Sequence, residues 1–474
     1  MQTLVHVLYM AASVLFIVGI KQMSSVKTAR SANALSALAM GVAMVGALLD
    51  IAQHGHVGWM YVGAGALVGG GLGAWLATSV TMEGMPELVA FFNGMGGLAS
   101  SLVAVSLAIL TWSAAGGAVV EGAVTSIDQA ITVILSIAIG GVTLTGSLVA
   151  WAKLKGVMSG KQIFLPAHNA LNFLLLAGTV GAGCFAFFAV RPTDTTTLYG
   201  LLGAAVLASF VLGITFAIPV GGADMPVVVS LLNSFSGLAA AMTGFVLYNN
   251  LLIISGSLVG AAGMILTIIM CRGMNRSLTN VLFAKFSESG GAAEEYKNVK
   301  SGDPVDVAIA LSNASNVIIV PGYGMAAAQA QHAVREMAEM LAGRGVNVRY
   351  AIHEVAGRMP GHMNVLLAEA NVPYEQLFKR EDIESDFKNA DVAIVIGAND
   401  VVNPLALTDE KSPLYGMPIL PAHEAQQCFV VKRSLGAGFS GTKNVLFESD
   451  RTLMVYGSAK DVIARVTEEL KAAA

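Results

Sequence analysis

The first 271 residues of this 474-residue chain contain very little charge. They hold 7 of the 27 Lys and Arg residues and 7 of the 31 Asp and Glu residues, which leaves 20 and 24 for the other 203 positions. A water-facing surface needs more charge than the first part has. The composition therefore excludes an ordinary soluble domain over residues 1–271 and predicts a membrane domain there. The remainder has the composition and length of one soluble domain.

Cysteine is also scarce, and the patterns of several other protein classes are missing. Cys184, Cys271 and Cys428 have neither disulfide nor metal-ligand spacing, which argues against a disulfide framework or a cysteine zinc site. The net charge of −4 comes without a basic patch, so nucleic-acid binding is not expected. No P-loop, nucleophile–base set or metal cluster is recognisable in the sequence, and we predict no metal site.

Nine apolar runs of about 20 residues are each long enough to cross a bilayer. They lie near residues 3–20, 32–52, 57–77, 86–110, 126–151, 168–189, 198–218, 226–247 and 251–271. Lys and Arg cluster after the first, fifth and ninth runs, and such clusters favour the cytoplasmic side. We therefore predict a multi-pass protein of the inner (plasma) membrane, with a periplasmic N-terminus and a cytoplasmic C-terminal domain.

Two of these runs repeat each other. Residues 85–99 (MPELVAFFNGMGGLA) and 225–239 (MPVVVSLLNSFSGLA) are identical at seven of fifteen positions. Parallel repeats of this kind occur in transporters. The repeat gives Asn93 and Asn233 equivalent positions inside the membrane, where an amide needs hydrogen-bond partners. A polar path for protons or water would explain the pair, and so would hydrogen bonding between helices.

Acids and glycines are the other candidates in the membrane part. Glu87 and Asp224 lie at the starts of the fourth and eighth runs, where the helix dipole favours acids in any case. A gate facing the soluble domain is their functional alternative. Gly256 and Gly260 have the spacing of closely packed helices, and Gly263 extends that face by a turn. A swivelling face on the last span is the alternative to simple packing.

The second part begins after a polar, charged stretch at 287–304, which is typical of a linker. Strand-like segments at 317–321, 347–353, 392–397, 428–432 and 452–456 follow, with 417–420 as a further candidate, and helices are predicted over 325–343 and 458–471. This alternation predicts a doubly wound, parallel, Rossmann-like α/β sheet. We expect a membrane bundle of about nine spans over 1–271, a linker over 272–303 and an α/β domain over 304–474.

The turn GYGMAA after the first of these strands matches a dinucleotide fingerprint. It places Gly322, Gly324 and Ala327 between a strand and a helix, whose first amide groups suit a pyrophosphate. Polar stretches at 355–362, 397–404 and 432–439 also follow strands. Ligands of such sheets bind at the carboxyl ends of the strands, so all four segments are candidates for one site.

Two features favour NADP(H) over NAD(H). Lys432, Arg433 and Ser434 offer two cations and a hydroxyl group to a monophosphate such as the 2′-phosphate of NADP. The acid that binds the ribose of NAD is expected about 20 residues after the glycines, and residues 342–348 contain none. Asp400, at another strand end, is a candidate for hydrogen bonding to the cofactor or for a pH-sensitive acid. A capping role is the structural alternative.

The motifs GGADMPVVVSLLNS, MNRS, PGYGMA, VAGRMPGHMNVLLAEA, GANDVVNP and KRSLGAGF together resemble the β subunit of proton-translocating NAD(P) transhydrogenases, over essentially the whole chain. The resemblance implies an oxidoreductase of the Si-specific, Re-face type that transfers hydride directly and reversibly between NADH and NADP+, driven by protons entering the cytoplasm. It also implies NADP(H) on this chain in a flipped orientation and NAD(H) on a separate α subunit with further membrane helices, in a two-fold symmetric assembly.

The resemblance further implies roles for individual residues. Asp400 is expected near the nicotinamide as the catalytic group that links cofactor occupancy to protonation. The residues expected in proton coupling are Asn93, Asn233, Asp224, Glu87, Arg276 and Gly263. Those expected to bind the cofactor are Gly322, Tyr323, Gly324, Met325, Ala326, Val355, Ala356, Gly357, Arg358, Met359, Pro360, Gly361, Gly397, Ala398, Asn399, Asp400, Val401, Lys432, Arg433, Ser434, Leu435, Gly436, Ala437, Gly438 and Phe439.

Three positions depart from the family pattern. Many relatives have His at the position of Asn93. Because an Asn side chain cannot titrate, the proton acceptor in the membrane is expected from a helix of the partner subunit. Phe439 stands where relatives usually have Tyr, and Ser458 replaces a common acid. The alternative function is a transporter or channel gated by a nucleotide-sensing domain, which would bind NADP(H) without turnover. The absence of a TVGYG-like filter from the sequence argues against a potassium channel, and the full set of motifs favours the transhydrogenase.

Overall fold

The structure is a computed structural model that describes residues 2–23, 26–53, 58–81, 84–114, 127–160, 162–188, 195–222, 224–283, 296–359, 361–410, 412, 414–436, 438 and 440–472. Of the predicted site residues, Pro360, Ala437 and Phe439 lie outside the described residues. The chain divides into two compact units, Met1–Thr267 and Ile268–Ala474.

Long apolar helices form the first unit. Within the described residues, nine helices are long and apolar enough to cross a membrane. They are α1 (Gln2–Met23), α2 (Val26–Gln53), α3 (Trp59–Ser79), α4 (Met85–Ala114), α5 (Ile127–Leu154), α6 (His168–Phe188), α7 (Thr195–Ala217), α8 (Met225–Val246) and α9 (Asn250–Gly273), and the last turn of α9 belongs to the second unit. The nine predicted spans are confirmed.

The helices of the first unit differ greatly in burial. Helix α5 packs against α4, α6, α7 and α8, and most of its side chains are buried. Helix α3 lies at the other extreme, because none of its residues, all of which the structure describes, is buried. A helix satisfies its own backbone hydrogen bonds, so it can be this exposed in a bilayer without leaving polar groups unpaired.

A six-stranded parallel sheet is the centre of the second unit. Its strands are β1 (Asn316–Pro321), β2 (Asn347–Ile352), β3 (Leu377–Lys379), β4 (Val392–Ile396), β5 (Gln427–Lys432) and β6 (Thr452–Tyr456). They lie in the order β3-β2-β1-β4-β5-β6, and every neighbouring pair is parallel. This is the strand order of the Rossmann fold, so the predicted fold class is confirmed.

Short and long helices make up the other regular elements of the second unit. They are α10 (Leu278–Phe283), α11 (Pro304–Ser312), α12 (Tyr323–Ala327), α13 (Gln331–Gly343), α14 (His362–Glu369), α15 (Arg380–Ile383), α16 (Leu405–Thr408) and α17 (Ala459–Ala472). Helix α17 packs against both α11 and α13. Ile318 and Val320, which alternate along β1, pack in one hydrophobic core with Phe387 and Phe447. The alternation along β1 therefore gives the sheet two buried faces.

Two details of the predicted α/β pattern are wrong. The single helix expected over 325–343 is two helices, α12 and α13, separated at Gln329, whose φ of +49° is left-handed. The sixth strand is β3, whereas residues 417–420 form no strand.

Residues 296–303, which the sequence pattern places in the linker, contact the edge of the sheet. The Tyr296 ring stacks on Phe447, with 5.9 Å between the ring centroids, and the Gly302 amide donates to the Met454 carbonyl at 3.0 Å. Apolar stacking and backbone hydrogen bonds therefore attach this segment to β6.

Candidate functional site

The candidate site begins where the strand order reverses, between β1 and β4. The chain leaves β1 toward β2 on one side of this point, and leaves β4 toward β5 on the other. The two connections diverge and leave a crevice at the carboxyl edge, which is where ligands of such sheets bind. The segments after Pro321 and Ile396 flank this crevice.

The turns after β1 and β4 interlock through their backbones. The Gly322 amide donates to the Ile396 carbonyl, and the Gly324 amide donates to the Gly397 carbonyl, each at 2.9 Å. A Cβ atom on Gly324 would lie 2.7 Å from Gly397 Cα, and one on Gly322 would lie 2.5 Å from Ala398 Cα. Gly397 also has a φ of +67°. Only glycine fits at these positions, because backbone atoms cannot move aside.

The loop after β2 lies beside the β1 turn. The Arg358 guanidinium group sits over the Tyr323 ring, 4.2 Å from its centroid. Gly357 has a φ of +103°, and Gly361 has a φ of +70° and precedes α14. The Met359 carbonyl accepts from the His362 amide at 3.2 Å. Two left-handed glycines and a cation–π contact thus hold residues 355–361 against the first turn.

The buried side chain of His362 forms a hydrogen bond with this loop. Its Nδ1 accepts a hydrogen bond from the Arg358 amide at 3.1 Å, and its side chain is almost fully buried. The proton of the neutral ring therefore lies on Nε2, which has no hydrogen-bond partner among the described residues. Burial, with a smaller contribution from the Arg358 charge, lowers the pKa of His362 to about 4. The ring is neutral at physiological pH.

Asp400 follows β4 and is enclosed by the loop that follows β5. Its carboxylate accepts from the Ser440 amide at 2.9 Å and from the Ser440 hydroxyl group at 2.8 Å. Desolvation raises the pKa of Asp400, and the Ser440 hydrogen bonds and the charges of Lys432 and Arg276 oppose that rise. The result is a carboxyl group that protonates more readily than a solvated Asp.

The loop after β5 is held over this carboxyl group from both ends. The Lys432 ammonium group donates to the Gly436 carbonyl and lies 5.1 Å from the centroid of the Phe447 ring. Desolvation lowers the pKa of Lys432, and the Asp400 charge opposes this. A Cβ atom on Gly438 would lie 2.8 Å from Asp400 Cγ. Arg433 and Ser434, by contrast, are exposed at the tip of the loop.

The structure brings the four predicted segments to one edge but gives their residues different positions. Met325, Ala326, Ala356, Ala398 and Val401 are buried and support the loops from the interior. Gly322 is buried as well. The partly or fully exposed members are Tyr323, Gly324, Val355, Gly357, Arg358, Met359, Gly361, Gly397, Asn399, Asp400, Lys432, Arg433, Ser434, Leu435, Gly436 and Gly438. The second set is the one that a ligand at this edge could contact.

In the membrane unit, one residue of the amide pair lies on α4 and the other on α8. Asn93 is buried, and its Nδ2 donates to the Val229 carbonyl of α8 at 3.3 Å. Val229 precedes Asn233 by four residues, so this contact lies within one helical turn of Asn233 along α8. Asn233 is only partly buried. The contact supplies the helix-to-helix hydrogen bond that one of the two interpretations requires.

Asp224 and Lys153 lie in a buried region before α8. Asp224 is 2% exposed, and its carbonyl accepts from the Val227 and Val228 amides in the first turn of α8. Lys153, in the last turn of α5, is 5% exposed and donates to the Ile218 and Val220 carbonyls at 2.5 and 2.7 Å. The ammonium group therefore joins α5 to the connection that leads to Asp224. Glu87 is partly buried in the first turn of α4.

Glycines bring α8 and α9 into close contact. A Cβ atom on Gly263 would lie 2.8 Å from the Ser234 amide nitrogen, and one on Gly256 would lie 2.7 Å from the Gly237 carbonyl oxygen. Ser234 Oγ donates to the Gly260 carbonyl at 2.6 Å. The close packing predicted from the spacing of these glycines is confirmed, and serine hydroxyl groups add hydrogen bonds across it.

Arg276 follows α9 and belongs to the second unit. Its amide donates to the Cys271 carbonyl at 2.9 Å, and the neighbouring Asn275 side chain donates to the Tyr415 carbonyl at 3.0 Å. Arg276 is one of the two cations whose charge acts on Asp400. The two predicted residues are thus electrostatically linked within this unit.

Three residues with clear structural roles were missing from the sequence prediction, Lys153, Ser440 and Asn444, and a fourth, His362, lay in the predicted stretch 355–362 without being singled out. Asn444 Nδ2 donates to the Asn399 carbonyl at 3.0 Å, which ties the end of the β5 loop to the β4 turn. His362 could have been found, because it directly follows the glycine that ends its loop. The partners of the other three are 40 to 67 residues distant in sequence, and no local pattern reveals such contacts. No group that could hold a metal ion occurs among the residues described.

Fold and site together define a class: a multi-pass membrane protein with a Rossmann-like domain whose glycine turns meet at the topological switch point. Within this class, the chain belongs to the NAD(P) transhydrogenase beta subunit family, which matches residues 5–469. It is 44% identical over 472 residues to two proteins of Rhodospirillum rubrum, one of them from a defined strain, each called NAD(P) transhydrogenase subunit beta. The match covers 98% of this chain and 98% of each relative. The predicted resemblance is confirmed.

Proposed function

We propose that this chain is the NADP(H)-binding, proton-coupling subunit of a transhydrogenase that exchanges hydride with NAD(H) on an α subunit. The interlocked turns after β1 and β4 carry the proposal. Gly322, Gly324 and Gly397 have no side chains, so the two turns pack closely against each other at the switch point, which is where ligands of Rossmann-like sheets bind. Membership of the family supports the reaction class.

NADP(H) is proposed to bind across the segments 322–326, 355–361, 397–401 and 432–439. Arg433 and Ser434 are exposed at the loop tip, where a guanidinium and a hydroxyl group suit a monophosphate. Lys432 is turned toward the Gly436 carbonyl and holds the loop itself. Residues 342–348 contain no acid that would select the ribose of NAD, which supports NADP(H) over NAD(H) on this chain.

Nicotinamide, when bound, supplies the redox chemistry: NADPH gives up a hydrogen nucleus with two electrons, and NAD+ accepts both to become NADH. This chain's residues bind and orient one ring and exclude water from it. The described part of the chain contains one Rossmann-like sheet, so the NAD(H) site is proposed to lie on the α subunit. The related R. rubrum protein is called a beta subunit, and this name supports an α subunit as the partner. We propose a two-fold symmetric assembly and the Si-specific, Re-face reaction type.

Asp400 is proposed as the group that links the cofactor to proton movement. Desolvation raises its pKa, so it can change charge nearer to neutral pH than a solvated Asp. Loss of its negative charge would weaken the attraction to Lys432 in the loop that covers it. Because a loop that opens only in one protonation state controls cofactor release, such a group can couple hydride transfer to protons.

A proton path through the membrane unit is proposed along α4, α8 and α9. Asn93 and Asn233 supply polar groups on α4 and α8, and Asp224 and Glu87 lie at the starts of α8 and α4. Gly263 permits the close approach of α9 to α8. Because an amide cannot titrate, the proton acceptor beside Asn93 is proposed to come from a helix of the α subunit.

The proposed arrangement in the membrane follows the charges of the loops. We propose an inner-membrane location with a periplasmic N-terminus, a proton-translocating domain over 1–271, a linker over 272–303 and a cytoplasmic NADP(H)-binding domain over 304–474. The cluster of Lys and Arg after the first, fifth and ninth spans supports this orientation.

Reconstitution with the α subunit in sealed vesicles that contain a pH-sensitive dye tests the proposal. NADPH and an NAD+ analogue are added, and hydride transfer and lumenal pH are followed together. Coupled signals are expected, both lost in Asp400→Asn and both kept in Asp382→Asn, an exposed acid of α15. Hydride transfer without a pH change would refute the pump. NADPH binding without any transfer would instead favour a nucleotide-gated transporter.

A further inference from the structure

The Phe447 ring joins the segment 296–303 to a charged residue at the carboxyl end of β5. Phe447 is fully buried and belongs to the hydrophobic core on one face of the sheet. The Tyr296 ring stacks on it at an interplanar angle of 28°, with 5.9 Å between the ring centroids. The ammonium group of Lys432, the last residue of β5, lies over the same ring at 5.1 Å from its centroid. One buried ring therefore contacts both an aromatic ring and a cation.

We propose that Tyr296 is a positioning residue for the proposed NADP(H) site, because it fixes the Phe447 ring that holds the Lys432 ammonium group. The inference rests on the proposed function, in which Lys432 is one of the residues that bind the cofactor. It goes beyond that function by adding to the site a residue from a segment that the sequence pattern places in the linker. Lys432 would touch the cofactor, whereas Tyr296 acts on the cofactor only through Phe447.

Several contacts hold the Tyr296 ring in place. The Lys443 ammonium group lies over this ring, 5.2 Å from its centroid, and forms an ion pair with Glu448 at 2.9 Å. The Tyr296 hydroxyl group accepts a hydrogen bond from the Asn444 amide at 3.1 Å. Glu448 also accepts a hydrogen bond from the Lys297 amide, which directly follows the ring in sequence. These contacts fix the ring at its face, at its hydroxyl group and at the adjoining backbone.

The position of the Phe447 ring matters for Lys432 because a cation is attracted to an aromatic ring most strongly when water is kept from the contact. Removal of the Tyr296 ring would leave space beside Phe447, into which that ring can move or water can enter. Either change weakens the attraction between the ring and the Lys432 ammonium group. A phosphate-bearing ligand would then have to order the cation on binding, and this ordering lowers its affinity.

Removing the ring gives a direct test in the complete protein with its α subunit. Tyr296→Ala removes the ring, whereas Tyr296→Phe keeps the ring and loses only the hydroxyl group. Tyr374→Ala is the matched control, because Tyr374 is also partly buried but precedes β3, at the opposite edge of the sheet from β6. NADPH binding is titrated by the fluorescence of NADPH, and kcat and the KM for NADPH are measured in hydride transfer to an NAD+ analogue.

Tyr296→Ala should bind NADPH about three- to tenfold more weakly, as expected when one cation–π contact is weakened. The KM for NADPH should rise by a similar factor and kcat should not fall, because the contact orders the site for substrate and transition state alike. Tyr296→Phe and Tyr374→Ala should keep the wild-type affinity. Wild-type affinity in Tyr296→Ala would overturn the inference, and so would an equal loss in Tyr296→Phe, which would assign the effect to the hydroxyl group.

A double-mutant cycle tests the route through Phe447 without any cofactor. Thermal unfolding is measured for Tyr296→Ala, for Lys432→Met and for the two together. The combined shift in melting temperature should be smaller than the sum of the single shifts, because the second change removes a contact that the first has already weakened. The shifts of Tyr374→Ala and Lys432→Met should add, since these residues share no partner.

Additive shifts for Tyr296→Ala and Lys432→Met would overturn the inference, even if Tyr296→Ala weakened NADPH binding. Failure of the proposed function is recognised separately, because the wild-type protein would then bind no NADPH. The unfolding cycle would still decide in that case whether Tyr296 acts on Lys432.

Discussion

Gly324→Ala should loosen the junction between β1 and β4. The added methyl carbon would lie 2.7 Å from Gly397 Cα, whereas carbon atoms at rest are about 3.5 Å apart or more. Both partners are backbone, so the two turns must separate by roughly 0.8 Å, if the shift is taken along the line of contact. The 2.9 Å hydrogen bond from the Gly324 amide to the Gly397 carbonyl would then exceed bonding distance.

The cost follows from two effects. Overpacking in a dense region costs about 1–3 kcal/mol, and a lost backbone hydrogen bond adds about 1 kcal/mol. For a domain of this size, a total of about 2–4 kcal/mol lowers the melting temperature by on the order of 5–15 °C. The Gly324 amide should also exchange its hydrogen faster, because its partner is lost.

Gly343→Ala is the matched control for this substitution. Gly343 ends α13, and no described atom lies within 4 Å of its Cβ position. Alanine is favoured over glycine in a helix by up to about 1 kcal/mol, so this variant should melt at or slightly above the wild-type temperature. Calorimetry and amide hydrogen exchange of the complete protein measure both variants. A Gly324→Ala protein that melts with the wild type and keeps slow exchange at this turn would refute the argument.

Three further predictions concern other parts of the chain. Lys153→Met should lower the free energy of unfolding by about 1–3 kcal/mol, because two buried carbonyls lose their hydrogen-bond donor. Lys155 is exposed, so Lys155→Met should change the free energy of unfolding little. Thermal unfolding in detergent compares the two variants. His362 has a pKa of about 4 in the folded protein against 6.5 ordinarily, so the unfolded chain binds more protons between these values and stability falls as pH drops through that window. His362→Gln should flatten part of that slope in unfolding measured from pH 7 to 4. Gly256→Ala should destabilise the bundle by about 1–3 kcal/mol, because the added methyl group would overlap the backbone of α8. Gly69→Ala should not, because no described atom lies within 4 Å of the Cβ position of Gly69. Thermal unfolding in detergent measures both variants.

The strongest features of the fold were predictable because they depend on local sequence. Nine apolar runs are sufficient to predict nine spans, since length and hydropathy decide whether a helix crosses a bilayer. Four of the five longer strands contain continuous apolar runs, as buried parallel strands usually do, and β2 is interrupted by Arg349. The glycine turn was recognisable because its spacing reflects steric needs at a strand end.

The remaining features depend on distant contacts. Strand β3 has three residues, none of them buried, so it lacks the apolar run that marks a buried strand. The break between α12 and α13 falls in the alanine-rich segment 326–330, which contains no helix breaker, and Ala330 is fully buried there. Lys153 ends an apolar run and suggests a solvated loop cation. Its burial depends on carbonyls beyond α7 that no pattern around residue 153 encodes.

The interlocked turns have a consequence for how the site can respond to its surroundings. Their contacts join peptide groups, which neither titrate nor oxidise under physiological conditions, so this side of the crevice stays the same when acidity or redox state changes. A titratable group, the Asp400 carboxyl, lies instead where Ser440 of the loop after β5 meets the turn after β4. Substitution of Ser440 can therefore change the surroundings of this carboxyl group while the glycine contacts between the β1 and β4 turns keep their shape.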